Sequence, residues 1–295
     1  MLSLLRRYLV NRARDQLARI VMPVVRREYT VMPRFLYHQP LDYHVSTKPP
    51  LFDEVVSYSG EQLPLPGPRD RMDYHPHDDH EYLRTGKYDH DLVINFINRH
   101  CKSDKKPFRL LDFGCSSGRV LRHFDEQHSV NGWELYGVDI QAHPIEWIRR
   151  HLPPHFRTYT GSTIPSLPFE DNFFDCIYGI SVFTHIKYLW DAWLLELRRV
   201  TRPGGVLIQT IHAEPAWEFY FKNRDLDWVR RNHAPEILRE PAMNADYFYY
   251  GDATVSQVFW KANIAREFWG RYWNVEEITP PPDRYSFQNW MICTK

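Results

Sequence analysis

The stretch Leu110-Leu111-Asp112-Phe113-Gly114-Cys115-Ser116-Ser117-Gly118-Arg119 constrains this chain more than any other. A short apolar run, bounded by Pro107 upstream and glycines downstream, reads as a strand covered on both faces, which is the pattern of a parallel sheet. Val120, Leu121 and Phe124 then share one face of a following helix. Small residues at Gly114, Ser116, Ser117 and Gly118 leave the backbone of the connecting turn open to close approach by a ligand. Such a turn suits a dinucleotide when glycine recurs as G-x-G-x-x-G and the pyrophosphate rests on the helix N-terminus. Counting from Gly114, the second and third of those positions are Ser116 and Arg119, and a bulky third residue obstructs close packing of helix on strand. NAD-type cofactors are therefore disfavoured. A turn of purely structural use is the plainer alternative.

The spacing Asp112-x-Gly114-x-x-x-Gly118 resembles motif I of the class I S-adenosylmethionine (SAM) methyltransferases. The resemblance implies that Asp112, Gly114, Cys115, Ser116 and Gly118 wrap the methionine end of SAM. Trp133 to Ile140 reads as a second strand, ending in an acid about 20 residues past the turn. Asp139 matches the family's ribose-binding acid, with Ile140 beside it; capping the helix that begins near Pro144 is the alternative use of that carboxylate. Gly161-Ser162-Thr163-Ile164 is similar to the family's G-D-A, with Ser162 in place of the acid that reaches the adenine amine. Ser162, Thr163 and Ile164 are thus the expected adenine neighbours, the serine oxygen or the adjoining backbone acting as acceptor. Leu167 to Asp175 follows the family's L-P-F-x-D-x-x-F-D, and Cys176 to Ser181 reads as the fourth strand, its end at Ser181 lying beside the cofactor.

Further on, Leu194, Leu197 and Val200 make an apolar helical stripe, Pro203 stops the helix, and Gly204-Gly205 turn the chain into a fifth strand ending near Ile208. Val275 to Ile278 and Gln288 to Cys293 read as the last two strands, Gln288-Asn289 resembling the Q-D that enters the final one. The family implies an α/β fold: a Rossmann-like, doubly wound, seven-stranded and mostly parallel sheet with helices on both faces and an antiparallel last strand. A helix is expected from Asp78 or Asp79 through Tyr82 and Leu83, and another from about His90 to His100. Between them, Arg84 is expected to meet the cofactor carboxylate, with Lys87 as a substitute.

Composition sets the surroundings of this domain. Formal net charge is zero over 295 residues, which gives no general attraction to nucleic acid. Four cysteines without paired spacing, one of them Cys115 in the turn, indicate a reducing compartment such as the cytoplasm and no structural zinc. Residues 1–76 read as an arm that is rich in proline and aromatics after its start, and 77–295 as the methyltransferase domain. Within residues 1–28, seven arginines and a helical apolar stripe suit a dimer or domain contact, a peripheral membrane contact, or a transit peptide. His75, His77, Asp78, Asp79 and His80 crowd together without a helical pair of histidines, so a helix start is preferred to a metal site.

SAM carries an activated methyl, so the protein's task is to align a nucleophile and exclude water. An oxygen or nitrogen acceptor also gains from a general base. His185, after the fourth strand, and His212, after the fifth, stand where an open α/β sheet binds ligands. Each has the alternative role of shaping the pocket. An aromatic insertion at about 213–260 reads as a cap over a small-molecule or glycan-like acceptor. Two other readings stay open: a membrane-borne lipid or glycan as acceptor, and a SAM-binding protein without transfer activity.

Overall fold

The apolar run before the glycine turn forms the centre of a seven-stranded sheet. In the computed structural model, which describes residues 60–71, 74–232, 238–251, 256–281 and 287–295, Leu110 to Phe113 lie buried in β1 (Arg109–Phe113). β1 runs parallel to β2 (Glu134–Asp139) on one side and, on its other edge, to β4 (Phe174–Gly179), which comes three strands later in the sequence. β3 (Phe156–Thr160) extends the sheet beyond β2, and β5 (Thr201–Ile211) extends it beyond β4, both in parallel. β9 (Asn289–Thr294) joins β5 antiparallel, with Ile292 opposite Ile208, and β8 (Asn274–Thr279) closes that edge antiparallel to β9. The order is β3-β2-β1-β4-β5-β9-β8, the doubly wound arrangement that the motifs imply. Chain direction across the sheet reverses between β1 and β4. The carboxyl ends of these two strands therefore open a crevice.

Helices cover both faces. On one, α1 (Asp79–His100) and α3 (Ala142–His151) press Phe96, Ile97 and Ile148 onto Leu110, Leu135 and Cys176; α2 (Asp125–Asn131) precedes β2. On the other, α4 (Trp190–Val200) presses Trp193, Leu194 and Leu197 onto Leu111, Phe113 and Ile177. Each such leucine or isoleucine, once removed from water, contributes about 1.5–3 kcal/mol before the cost of ordering it. Asp175 is buried at the opposite end of β4, where it accepts from the Arg109 amide (2.7 Å), Arg202 Nη1 (2.6 Å) and the Ser103 hydroxyl. This acid of the Leu167-to-Asp175 segment is thereby a clamp joining the starts of β1, β4 and β5.

Two local expectations are corrected. The two helices flanking Arg84 to Tyr88 are one 22-residue helix, α1, capped by the Asp78 carboxylate on the Glu81 amide (2.9 Å). Gly86 is inside it because a Cβ there would run into the Arg119 carbonyl and the His123 ring. The Pro203-Gly204-Gly205 segment is not a turn before the strand but an irregularity within β5, Gly204 taking φ +78° where the register with β4 shifts. The cap also holds its own two-stranded sheet, β6 (Tyr247–Tyr250) antiparallel to β7 (Gln257–Trp260), after α5 (Glu214–Lys222) and α6 (Asp227–Asn232).

All described residues belong to one compact unit, Pro49–Lys295. Residues 60–71, read as part of the arm, pack on the sheet domain: Leu65 is buried against Tyr82 and Leu83, and Arg122 donates to the Pro64 (2.9 Å) and Leu63 (2.6 Å) carbonyls. The arginine-rich segment 1–28 lies outside the described residues. Among those described, no helix is long and apolar enough to cross a membrane.

Candidate cofactor and acceptor site

The glycine turn leaves β1 in a backbone conformation that most side chains avoid. Gly114 and Gly118 take φ +87° and +82°, and Ser116 takes +47°. A Cβ at Gly114 would also collide with Val182, so this glycine is required twice over. The Gly114 and Cys115 amides donate to the Val138 carbonyl (2.7 and 3.1 Å), which ties the turn to the end of β2. Cys115 is buried against Gly137, where a Cβ would lie 2.7 Å from Sγ. It forms part of the wall.

Asp139 bridges two backbone segments. Its Oδ2 accepts from the Ser116 amide and its Oδ1 from the Gln141 amide, both at 2.8 Å. Burial raises its carboxyl above the ordinary range, opposed by the Gln141, Ser116 and Ile140 backbone donors. Asp139 thus ties the turn to the chain ahead of α3 without capping that helix, whose N-cap is Gln141 and receives no side-chain cap. Asp112 is deeper. Burial pushes its carboxyl up to about 7, even though the Tyr178 hydroxyl donates to Oδ2 at 2.7 Å and Arg119 stands nearby.

A cavity opens beside the turn, walled by Arg71, Tyr74, Asp112, Gly114, Ser116 and Arg119. The Ser116 hydroxyl oxygen is buried there with no hydrogen-bond partner, an unmet polar group of the kind that a ligand satisfies. Two arginines come close without having been expected. Arg71 is buried, donates from Nε to the Pro66 carbonyl (2.8 Å) and pairs with Asp79. Arg119 pairs with Asp89 of α1 (2.7 Å) and lies 4.4 Å from the Tyr74 ring. Arg84 does not line this cavity; it is on the outer face of α1, paired with Glu81 at 2.7 Å. Lys87 pairs with Asp91 on the same helix. The carboxylates of the histidine-rich cluster are engaged likewise, Asp78 as the cap of α1 and Asp79 with Arg71.

Beyond β3, the Gly161 amide donates to the Asp139 carbonyl (2.8 Å), which brings Ser162, Thr163 and Ile164 to the end of β2. The Ser162 hydroxyl oxygen accepts from the Ile164 amide (3.1 Å), and Ile164 is partly exposed. At the end of β4, Ser181 takes φ +58°, donates its amide to Thr210 Oγ1 (2.7 Å) and accepts from Gln288 Nε2 (2.5 Å).

Gln288 Nε2 also lies 3.4 Å from His212 Nε2, so Ser181, Gln288 and His212 form one cluster, joined by the Tyr220 hydroxyl at 3.3 Å from His212. His212 is buried among aromatics, Phe259 of the cap and Phe287 ahead of β9 lying 5.0 and 5.9 Å from its ring. His185 is held differently. Its Nδ1 donates to the Ser256 carbonyl (2.7 Å), and burial keeps the ring below the ordinary imidazole value. The neutral ring therefore carries its lone pair on Nε2. The Ser256 hydroxyl donates back to the His185 carbonyl (2.6 Å) and the Val258 amide to the Thr184 carbonyl (2.8 Å), strapping β7 onto the loop after β4.

Residues 111–209 match the family described as a methyltransferase domain. The chain is 30% identical over 129 residues to the ubiquinone/menaquinone biosynthesis C-methyltransferase of Burkholderia cenocepacia, covering 40% of this chain and 49% of that protein. It is 24% identical over 150 residues to the fatty-acid O-methyltransferase of Mycolicibacterium smegmatis, covering 49% and 54%. The chain thus spans about half the length of these curated relatives. Among solved structures, a 1,6-didemethyltoxoflavin-N1-methyltransferase of Burkholderia thailandensis superposes with a TM-score of 0.49 at 14% identity, over 82% of this chain and 99% of that one.

Proposed function

We propose, for a chain whose residues 111–209 form a methyltransferase domain of the class I SAM-dependent type, that it transfers a methyl group from SAM to an oxygen or nitrogen of a small-molecule or glycan-like metabolite. The observation that carries this reading is the cavity at the glycine turn, where close backbone approach, the buried Ser116 hydroxyl and an acid at Asp112 coincide. These features fit the amino-acid end of SAM: Asp112 suits its ammonium, and Arg71 and Arg119 suit its carboxylate better than Arg84 does. Gly114, Cys115, Ser116 and Gly118 line its path, Asp139 with Ile140 receives the ribose, and Ser162, Thr163 and Ile164 flank the adenine.

SAM, when bound, supplies a methyl group on a positively charged sulfur that leaves readily to a nucleophile. The chain's own residues then orient the acceptor, exclude water and remove a proton. His185 takes that proton at Nε2, its Nδ1–H being fixed by the Ser256 carbonyl. His212 and Ser181, linked through Gln288, shape the acceptor side together with the aromatic cap. The neutral net charge supports a small acceptor over nucleic acid, and the free thiols of Cys101, Cys115, Cys176 and Cys293 support a cytoplasmic setting. Calorimetric titration with SAM, S-adenosylhomocysteine and NAD tests the cofactor. Binding of the first two is expected, and binding of NAD alone overturns the reading. Labelled SAM incubated with enzyme and a metabolite extract then identifies the acceptor by its gain of one methyl mass.

A further inference from the structure

Methyl transfer makes no use of a second cavity on the cap. It has a volume of about 460 Å³ and is lined by Phe221, Arg224, Asp225, Arg230, Leu238 and Arg239. Among the described residues that line it, three are arginines and one is an aspartate. Such an excess of positive charge favours an anion over a cation or a neutral ligand. No ion pair with a described residue engages Arg224, Arg230 or Arg239; the nearest support is local, Arg224 Nη1 donating to the Phe221 carbonyl at 3.0 Å. Its guanidinium is 4.7 Å from the Phe221 ring, which fixes the plane of the fork while leaving its other N–H groups available.

The rest of the wall is apolar. Phe221 and the buried Leu238 line the cavity, and on the same segment Leu226 and Trp228 stand 46% and 36% exposed. Guanidinium forks match phosphate oxygens, and tryptophan beside arginine suits the boundary between charged headgroups and acyl chains. We propose that this cavity binds a phosphate group carried by an amphiphile, an anionic phospholipid headgroup being its simplest form. The site stands apart from the glycine turn and does not depend on the assignment of SAM.

The test uses the full chain and its R230A/R239A variant, two exposed positions whose replacement leaves the buried Leu238 in place. Co-sedimentation with phosphatidylcholine vesicles, with and without phosphatidylglycerol, measures the lipid arm, and calorimetry with inorganic phosphate measures the free anion. The wild type is expected to favour phosphatidylglycerol vesicles in a salt-sensitive way, and R230A/R239A to bind them about tenfold more weakly or less. Any vesicle binding by residues 1–28 is common to both proteins, so the difference reports the cavity. Phosphate binding that the variant loses, without vesicle binding, overturns the amphiphile as ligand and assigns the cavity to a soluble phosphate. Equal binding by both proteins in both arms overturns the proposal. Far-UV circular dichroism and the thermal unfolding midpoint, expected to be unchanged in R230A/R239A, show that the variant is folded.

Discussion

Replacing Asp112 by asparagine should make the protein more stable, by an amount that grows with pH. The carboxyl is 4% exposed, and burial raises it from the ordinary 3.8 to about 7. Between these values the folded protein holds a proton that the unfolded chain has released, so Asp112 lowers stability progressively as pH rises, and its full cost is reached above pH 7. At about 1.4 kcal/mol per unit, this cost approaches about 4 kcal/mol. Asparagine has the same shape and keeps an oxygen to accept from the Tyr178 hydroxyl, which now donates at 2.7 Å. It removes the charge alone. Urea unfolding of wild type and D112N at a series of pH values gives the difference directly, and common effects of pH on other groups cancel. The stability advantage of D112N should widen by about 2–3 kcal/mol between about pH 5 and pH 8. A difference that stays constant over this range means the carboxyl titrates normally, and the reasoning from burial fails.

Other substitutions probe the rest of the site. Asp139→Ala removes an acceptor of two backbone amides and should weaken SAM binding by about 1.5–3 kcal/mol in a calorimetric titration; unchanged affinity rejects the ribose assignment. Gly114→Ala places a Cβ against Val182 at φ +87° and should destabilise the fold by at least about 1–2 kcal/mol in thermal unfolding, with native stability counting against the described turn. For His185, whose ring burial holds below 6.5, the imidazole proton resonance should titrate at lower pH than an exposed histidine, leaving the ring neutral throughout the neutral range. A normal titration would show that the ring is not enclosed. Replacement by glutamine should then lower the transfer rate by about 10²-fold or more, as expected for loss of a general base.

What the sequence disclosed depends on how local the cause is. The buried β1, the turn at Gly114 to Gly118 and the acid ending β2 each follow from a few neighbouring residues, and their spacing was readable together. The continuity of α1 between Leu83 and His90 is not marked locally, because the reason for Gly86 lies in another part of the chain, the Arg119 carbonyl against which α1 packs. Arg71 and Tyr74 reach the cavity from a proline-rich segment that lacks periodicity, so nothing local marked them. Their signal was confined to an arginine and a tyrosine ahead of a capped helix. β6 and β7 escaped notice because Tyr247 to Tyr250 is aromatic at every position and shows no alternation. The Ser256 carbonyl that fixes His185 lies 71 residues away, and a backbone acceptor leaves no trace in side-chain identity.

That last contact has an evolutionary consequence. The cap grips the loop after β4 partly through main-chain groups, the Ser256 carbonyl on His185 and the Val258 amide on Thr184. Side chains of the hairpin are thus released from the duty of orienting the histidine. The side chains of the cap can diverge while His185 keeps its lone pair on Nε2, so under the proposed function a change of acceptor need not begin with a loss of chemistry.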